Sequence, residues 1–178
     1  MTDLTIERHF NAPQALVFAF LTEAENLLQW WGHEGWTLQE YQLDLTQPGQ
    51  WFSRFAGAES GIYHMSGQVL AVTPPKQVHI TWAWHDDQGR RGAESEVIFN
   101  VEPDGPDKSR LILYHNGLPS DDVAKGHEAG WAATLRRLET LFDHPELPKN
   151  LTGDEKWPNS CLHITAAACR RPKKKESG

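Results

Sequence analysis

Residues 120–142 read SDDVAKGHEAGWAATLRRLETLF. Within this run Val123, His127, Trp131, Leu135, Leu138 and Phe142 recur at steps of three or four, the spacing that gathers side chains on one face of an α-helix. Asp121, Lys125, Glu128, Arg136, Arg137 and Glu139 take the opposite face, where water solvates them. Roughly a hundred residues of strand-like sequence precede the run, and no other core-forming segment follows it. A lone amphipathic helix must bury its apolar face against another layer, and here that layer is a sheet. A curved antiparallel sheet wrapped around such a helix leaves either a closed core or a cavity between them. The expected class is therefore α+β, and the architecture itself raises the question of a ligand.

Working outward, Leu4, Ile6 and His9-Phe10 read as a first strand, stopped by Asn11-Ala12-Pro13. Pro13 suits a first helical turn, Asn11 with Gln14 resembles a capping pair, and Leu16, Val17, Phe20 and Leu21 form an apolar stripe. Thr22-Glu23-Ala24-Glu25 has the spacing of a capping box, Leu27 to Trp31 supply a buried face, and Gly32 closes a second short helix. From Trp36 the period shifts towards two. Pro48-Gly49, Ala58-Glu59-Ser60-Gly61, Pro74-Pro75, Asp86-Asp87-Gln88-Gly89 and Pro103-Asp104-Gly105-Pro106 punctuate it as turns. Six further strands are predicted near 36–45, 50–55, 63–72, 77–85, 95–102 and 110–116. Their short connections favour hairpins, hence a sheet of about seven antiparallel strands with two short helices after the first.

Alternation assigns the faces. Val78, Ile80, Trp82 and Trp84 share the inner face of one strand, Val97, Phe99 and Val101 that of the next, and Leu111, Leu113 and His115 that of the last. His79, Thr81, Glu96, Asn100 and Arg110 are assigned outward, with Ile112 and Tyr114 as apolar exceptions.

The 178 residues suit one globular domain, expected over 1–144, and an apolar share of 39% with eight tryptophans is enough for a core. Residues 145–178 are polar and proline-rich, and read as a flexible tail. The formal charge of −7 hides an asymmetry: ten Lys+Arg stand against twenty Asp+Glu in 1–144, and seven against four in the tail. So acidic a body repels phosphate backbones, and nucleic acid is not an expected partner of the domain. The first ten residues lack a signal-peptide pattern and no apolar run approaches the roughly 20 residues of a membrane span, so a cytoplasmic location is expected. Asn150-Leu151-Thr152, a formal glycosylation acceptor, has no chemistry in that compartment.

Cys161 and Cys169 lie in the tail and build no disulfide framework; with His163 they match no zinc spacing. His64, His79 and His85 fit no metal motif, and no phosphate-binding glycine pattern is present, so neither a metal nor a cofactor is expected. The run Arg170-Arg171-Pro172-Lys173-Lys174-Lys175 reads as a solvated basic terminus.

The order strand, two short helices, six strands and a long helix resembles the helix-grip fold of START-related lipid-transfer domains and the major birch-pollen-allergen proteins, the SRPBCC superfamily. Local sequence narrows this. Phe10-Asn11-Ala12-Pro13, Val17-Phe18, Leu27, Trp30-Trp31-Gly32, Asp44 before Pro48-Gly49, Gly67, Pro74-Pro75, Thr81-Trp82-Ala83-Trp84, Leu111-Ile112-Leu113 with His115, and Gly130-Trp131 with Leu135 and Leu138 are similar to the activator-of-heat-shock-protein-90-ATPase homologue family. The likeness runs over roughly residues 4–142. His33 departs from the family's proline after Trp-Trp-Gly, and Gln50 from a second glycine after Pro-Gly. The resemblance implies either a stress-response co-chaperone with a chaperone partner or a binder of apolar small molecules. The separate amino-terminal chaperone-binding domain of eukaryotic relatives has no room here, which favours the second.

In such a fold Trp51, Trp82, Trp84, Val97, Phe99, Leu113, His115, Trp131 and Leu135 are the expected lining of a cavity for an apolar or aromatic, lipid-like metabolite, with His115 as the orienting polar group. Trp30 and Trp31 are expected to pack the elbow instead. The alternatives are a co-chaperone-like interaction domain and, as distant helix-grip relatives suggest, a cyclase-like or hydrolytic enzyme acting on polyketide-type compounds. The second would use His115 as a general base, although no carboxylate or nucleophile is paired with it by spacing. No catalytic residue is assigned, and nothing in the sequence requires a particular oligomeric state.

Overall fold

A computed structural model describes residues 1–57 and 61–143 of the chain. The readings placed on the tail, including Cys161, His163, Cys169, the 150–152 tripeptide and the basic run, lie outside the described residues, as does the centre of the 58–61 turn.

The chain runs β1 (Thr2–Phe10), α1 (Gln14–Thr22), α2 (Ala24–Leu27), β2 (Thr37–Gln42), β3 (Gly49–Ala56), β4 (Ile62–Thr73), β5 (Gln77–Trp84), β6 (Ser95–Pro103), β7 (Ser109–Leu118) and α3 (Asp121–Asp143). The strands form one antiparallel sheet in the order β1-β7-β6-β5-β4-β3-β2. This is the α+β helix-grip arrangement, with two short helices after the first strand and one long helix at the end.

The strands form where alternation places them, and their inner residues make the core. Val78, Ile80, Trp82, Val97, Phe99, Val101, Leu111, Leu113 and His115 are all buried. β2 is shorter than the predicted 36–45, because beyond Gln42 the chain leaves the sheet: the Leu45 N–H donates to the Thr22 carbonyl at 2.9 Å, tying the segment to the end of α1. Leu43 and Leu45 are nonetheless buried.

Both predicted side-chain caps give way to other bonds. α1 starts on the Pro13 carbonyl, which accepts from Leu16 and Val17, while the Gln14 amide reaches across to the Val101 carbonyl at 2.7 Å. Glu23, not Thr22, occupies the N-cap of α2, and the Thr22 hydroxyl turns back onto the Phe18 carbonyl at 2.9 Å. Thr81 also departs from expectation by being buried. Its hydroxyl accepts from Gln68 N at 3.0 Å and its carbonyl from the Trp51 indole at 3.2 Å, so two bonds satisfy the polar atoms it carries inward.

Gly67 makes that second bond possible. A Cβ there would stand 1.8 Å from the Thr81 carbonyl oxygen and 2.7 Å from Trp51 Nε1. Only a bare backbone lets the indole lie across β4.

α3 crosses the inner face of the sheet. Trp131 meets Phe99 and Trp82 edge-on or tilted at ring distances of 5.6 and 5.3 Å, and Phe142 packs against Phe10 and Phe20 at 5.4 and 4.9 Å. Arg8 on β1 pairs with Glu139 at 3.2 Å along the helix's far half. No helix among the described residues is long and apolar enough to cross a membrane.

Candidate functional site

α3 carries two apolar stripes rather than one. Ala124, Trp131, Leu135, Leu138 and Phe142 are buried in the core. Val123, Gly126, His127, Gly130 and Thr134 form a second stripe, roughly a quarter-turn round the helix at 100° per residue, and this one faces a cavity. Val123 and His127, predicted for the core face, belong here: Val123 is 38% exposed.

The cavity has a volume of about 710 Å³, within the range of small-molecule sites, roughly 300–1,000 Å³. Trp82, Trp131 and Trp31 form its floor, their rings 5.3 to 6.1 Å apart. One wall is a stack in which His33 lies on Trp36 at 4.4 Å and Trp36 on Tyr63 at 4.0 Å, nearly parallel. Trp84 and His127 stand on the other side, rings 6.3 Å apart, and Met65 enters from β4. The small residues Gly126, Ala129, Gly130 and Ala133 of α3 leave the space open. Among the described residues no Asp, Glu, Lys or Arg lines it.

The mouth is braced from the helix. Arg137 donates to the Gly32 carbonyl at 2.8 Å, and the Thr134 hydroxyl reaches the same oxygen at 3.5 Å. Gly32 holds φ +90, and a Cβ there would meet the Phe55 ring at 2.7 Å, so the elbow turns tightly against β3 only with glycine. His33, where relatives were expected to carry proline, thereby points its ring at the cavity. Burial and the nearby Arg137 guanidinium lower its pKa, and burial alone lowers that of His127. Both imidazoles are neutral at neutral pH, and neither makes a hydrogen bond among the described residues.

Of the nine residues predicted to line a cavity, Trp82, Trp84 and Trp131 are brought together on it. Trp51, Val97, Phe99, Leu113, His115 and Leu135 are packed in the core instead, away from its lining. Trp31, expected only to pack the elbow, is also part of the floor; its indole donates to Ser53 Oγ at 3.0 Å.

His115 is completely buried and both ring nitrogens are engaged. The Trp131 indole donates to Nδ1 at 3.1 Å, which leaves the proton on Nε2 to be donated to Ser95 Oγ at 2.8 Å; Ser95 in turn donates to the Trp82 carbonyl at 3.2 Å. Burial first, then His127, lowers the His115 pKa to about 3. The imidazole is thus a neutral link between α3 and the sheet.

Sequence reading marked His33 only as a departure from the family pattern that could alter a cavity mouth, and it missed Trp36, Tyr63, Met65 and the small stripe of α3. Only the last had a visible signal: Gly126, Gly130 and Ala133 recur at helical spacing on a helix otherwise free of glycine. Among the described residues no His/Cys/Asp/Glu group is arranged to hold a metal ion.

Comparison with known proteins agrees with this architecture. No curated protein matches the chain. Among solved structures, the AHSA1 protein from Silicibacter pomeroyi is 45% identical, with a TM-score of 0.75 over 79% of this chain and 96% of its own. A protein from Chromobacterium violaceum shares the fold at 19% identity and a TM-score of 0.69, over 80% of this chain and 97% of its own. One from Nitrosomonas europaea is 25% identical, with a TM-score of 0.62 over 78% and 92% of the two chains. The family described as Activator of Hsp90 ATPase homolog 1-like protein matches residues 11–143, and with that span and that relative the chain belongs to this family.

Proposed function

We propose that the domain binds an apolar, aromatic small molecule between α3, the Trp31–Trp36 elbow and strands β4 and β5, for sequestration, transport or sensing. The observation that carries this reading is a cavity of about 710 Å³ walled by Trp31, Trp36, Tyr63, Trp82, Trp84 and Trp131. Aromatic surface supplies large contact area with few rotamers to freeze, and burial of apolar area drives affinity at about 25 cal/mol per Å² before the costs of association. The fold family, which commonly binds hydrophobic ligands, supports the same reading. In it His115 is a structural link, and the lining runs through His33, Trp36 and Tyr63 rather than through Val97, Phe99 and Leu113.

Native mass spectrometry of freshly purified protein, with solvent extraction of what is bound, tests the proposal against Gly126→Leu, whose side chain enters the cavity. A stoichiometric apolar adduct in the wild type, absent from the variant, is expected. An adduct retained by the variant moves the site elsewhere. A wild type that carries no adduct and takes up no added aromatic compound overturns the reading.

A further inference from the structure

His127 stands on the cavity stripe of α3, flanked by Gly126 and Gly130, and lines both the main cavity and a smaller one of about 140 Å³. Its ring meets those of His115 at 4.5 Å and Trp84 at 6.3 Å. Both nitrogens of His115 are engaged by Trp131 and Ser95, so it offers His127 no hydrogen bond. Among the described residues the one side-chain nitrogen or oxygen that is both unpaired and sealed from water is Trp82 Nε1. The half-buried His127 is a different case: its unpaired nitrogens are open, on a residue that borders two cavities. Burial lowers its pKa, so at neutral pH the ring carries one N–H and one lone-pair nitrogen.

Around the main cavity donors are plentiful and acceptors scarce. Indoles only donate, and those of Trp31 and Trp131 already serve Ser53 Oγ and His115 Nδ1. The Thr134 hydroxyl is turned to the Gly32 carbonyl at 3.5 Å. His33 is stacked on Trp36, and its Nε2 edge lies against α3, 3.4 Å from where a Cβ of Gly130 would stand. Tyr63 brings a phenol oxygen, a far weaker base than an imidazole nitrogen. The strongest open acceptor on the lining is therefore the lone-pair nitrogen of His127, on the side away from the His33–Trp36–Tyr63 stack.

We infer that the ligand is a neutral aromatic hydroxyl compound whose O–H donates to the lone-pair nitrogen of His127 while its rings lie against the tryptophans. The inference rests on the cavity reading above and narrows its chemistry. A hydroxyl satisfies the nitrogen as it excludes water from it, whereas an ether or a bare hydrocarbon of the same shape leaves it dry and unpaired. A carboxylic acid or an alkylamine fits less well. Each ionises at neutral pH, and among the described residues no Asp, Glu, Lys or Arg lines the cavity to balance the charge.

Equilibrium dialysis at neutral pH with 2-naphthol and 2-methoxynaphthalene tests it, because the two share a bicyclic skeleton and an oxygen, and only the first has a hydroxyl proton to give. Burial alone favours the ether, the more apolar of the pair. The bond to His127 reverses that order, and the wild type holds the naphthol about tenfold more tightly. In His127→Phe the preference disappears, whereas in His33→Phe and Tyr63→Phe it survives. In isotope-labelled wild-type protein the lone-pair nitrogen resonance of His127 shifts with the naphthol and not with the ether, a readout that needs no variant to fold. Equal wild-type affinities, a preference that outlives His127→Phe, or an unmoved nitrogen resonance overturns the acceptor assignment while leaving apolar binding intact. Failure of both compounds to bind up to their solubility overturns the acceptor and the cavity reading together.

Discussion

The indole of Trp131 on α3 donates to Nδ1 of His115 on β7 at 3.1 Å, and through this bond the helix fixes the tautomer of a histidine that has no access to water. With Nδ1 accepting, Nε2 must carry the proton, and Ser95 on β6 stands 2.8 Å away to receive it. Three elements are therefore joined by one neutral imidazole. Protonating it would turn Nδ1 into a second donor facing the Trp131 N–H, and would place a cation 4.5 Å from the ring of His127.

Stability should therefore fall on acidification well above the carboxylate range. The folded-state pKa of His115, about 3, lies below the ordinary 6.5, so between these values the unfolded chain binds a proton that the folded chain rejects. Stability then rises with pH, by up to about 1.4 kcal/mol per pH unit for this group, is complete above 6.5 and has nothing left to lose below about 3. His33, His64 and His127 are lowered too and act with the same sign. Urea midpoints between pH 7 and pH 4 should slope less in His115→Gln than in the wild type. An identical slope would remove His115 from the account.

Trp131→Phe keeps the aromatic packing on Phe99 and removes the donor, leaving His115 Nδ1 buried without a partner. The cost should be about 1–3 kcal/mol by chemical denaturation, the penalty of an unsatisfied buried acceptor plus a small packing loss. In a His115→Leu background the same change should cost markedly less, because no nitrogen remains to orphan. Equal costs in both backgrounds would mean that packing alone links the helix to the sheet.

The fold was legible in this sequence because most strands have one buried face, so alternation in Val78-Ile80-Trp82 or Leu111-Leu113-His115 carries the inward direction directly. The helix caps were not, since Pro13 begins α1 through a carbonyl that any residue possesses and Gln14 finds its partner 87 positions away. The site was half legible for a geometric reason. Steps of four advance about 400° along a helix, so the series Val123, His127, Trp131, Leu135 drifts by about 40° each time. It starts on the cavity stripe and ends in the core. A single apolar stripe in the sequence thus merged two faces, and drew Leu135 into a lining that His127 belongs to. Tyr63 and Met65 reach the cavity through the register of β4, which periodicity does not specify.

Alanine at three glycines should separate space from backbone strain. Gly49 has open space around its Cβ position and no positive φ, so Gly49→Ala should be neutral or slightly stabilising. Gly89 has the same space but φ +75, and Gly89→Ala should cost about 1–2 kcal/mol, the left-handed penalty alone. At Gly67 the new methyl would collide with the Thr81 backbone at 1.8 Å and displace Trp51, for an expected loss above about 3 kcal/mol. Thermal melts of the three variants give the order; a mild Gly67→Ala would show that β4 and β5 part easily at this point.

Gly126→Leu offers the sharpest separation of fold from site. A Cβ at Gly126 meets nothing within 4 Å, the backbone there is helical, and the position lies on the cavity stripe. Replacing glycine by leucine inside an exposed helix removes an unfavourable propensity of roughly 0.8–1 kcal/mol, and the side chain gains contact with the aromatic walls. The variant should melt at or above the wild-type temperature while occupying space that a ligand would need. Uptake of an environment-sensitive naphthalene dye, followed by fluorescence, should fall with no loss of stability. Undiminished dye binding at unchanged stability would place the dye outside the groove, and a lower melting point would show that the cavity must stay empty for α3 to seat on the sheet.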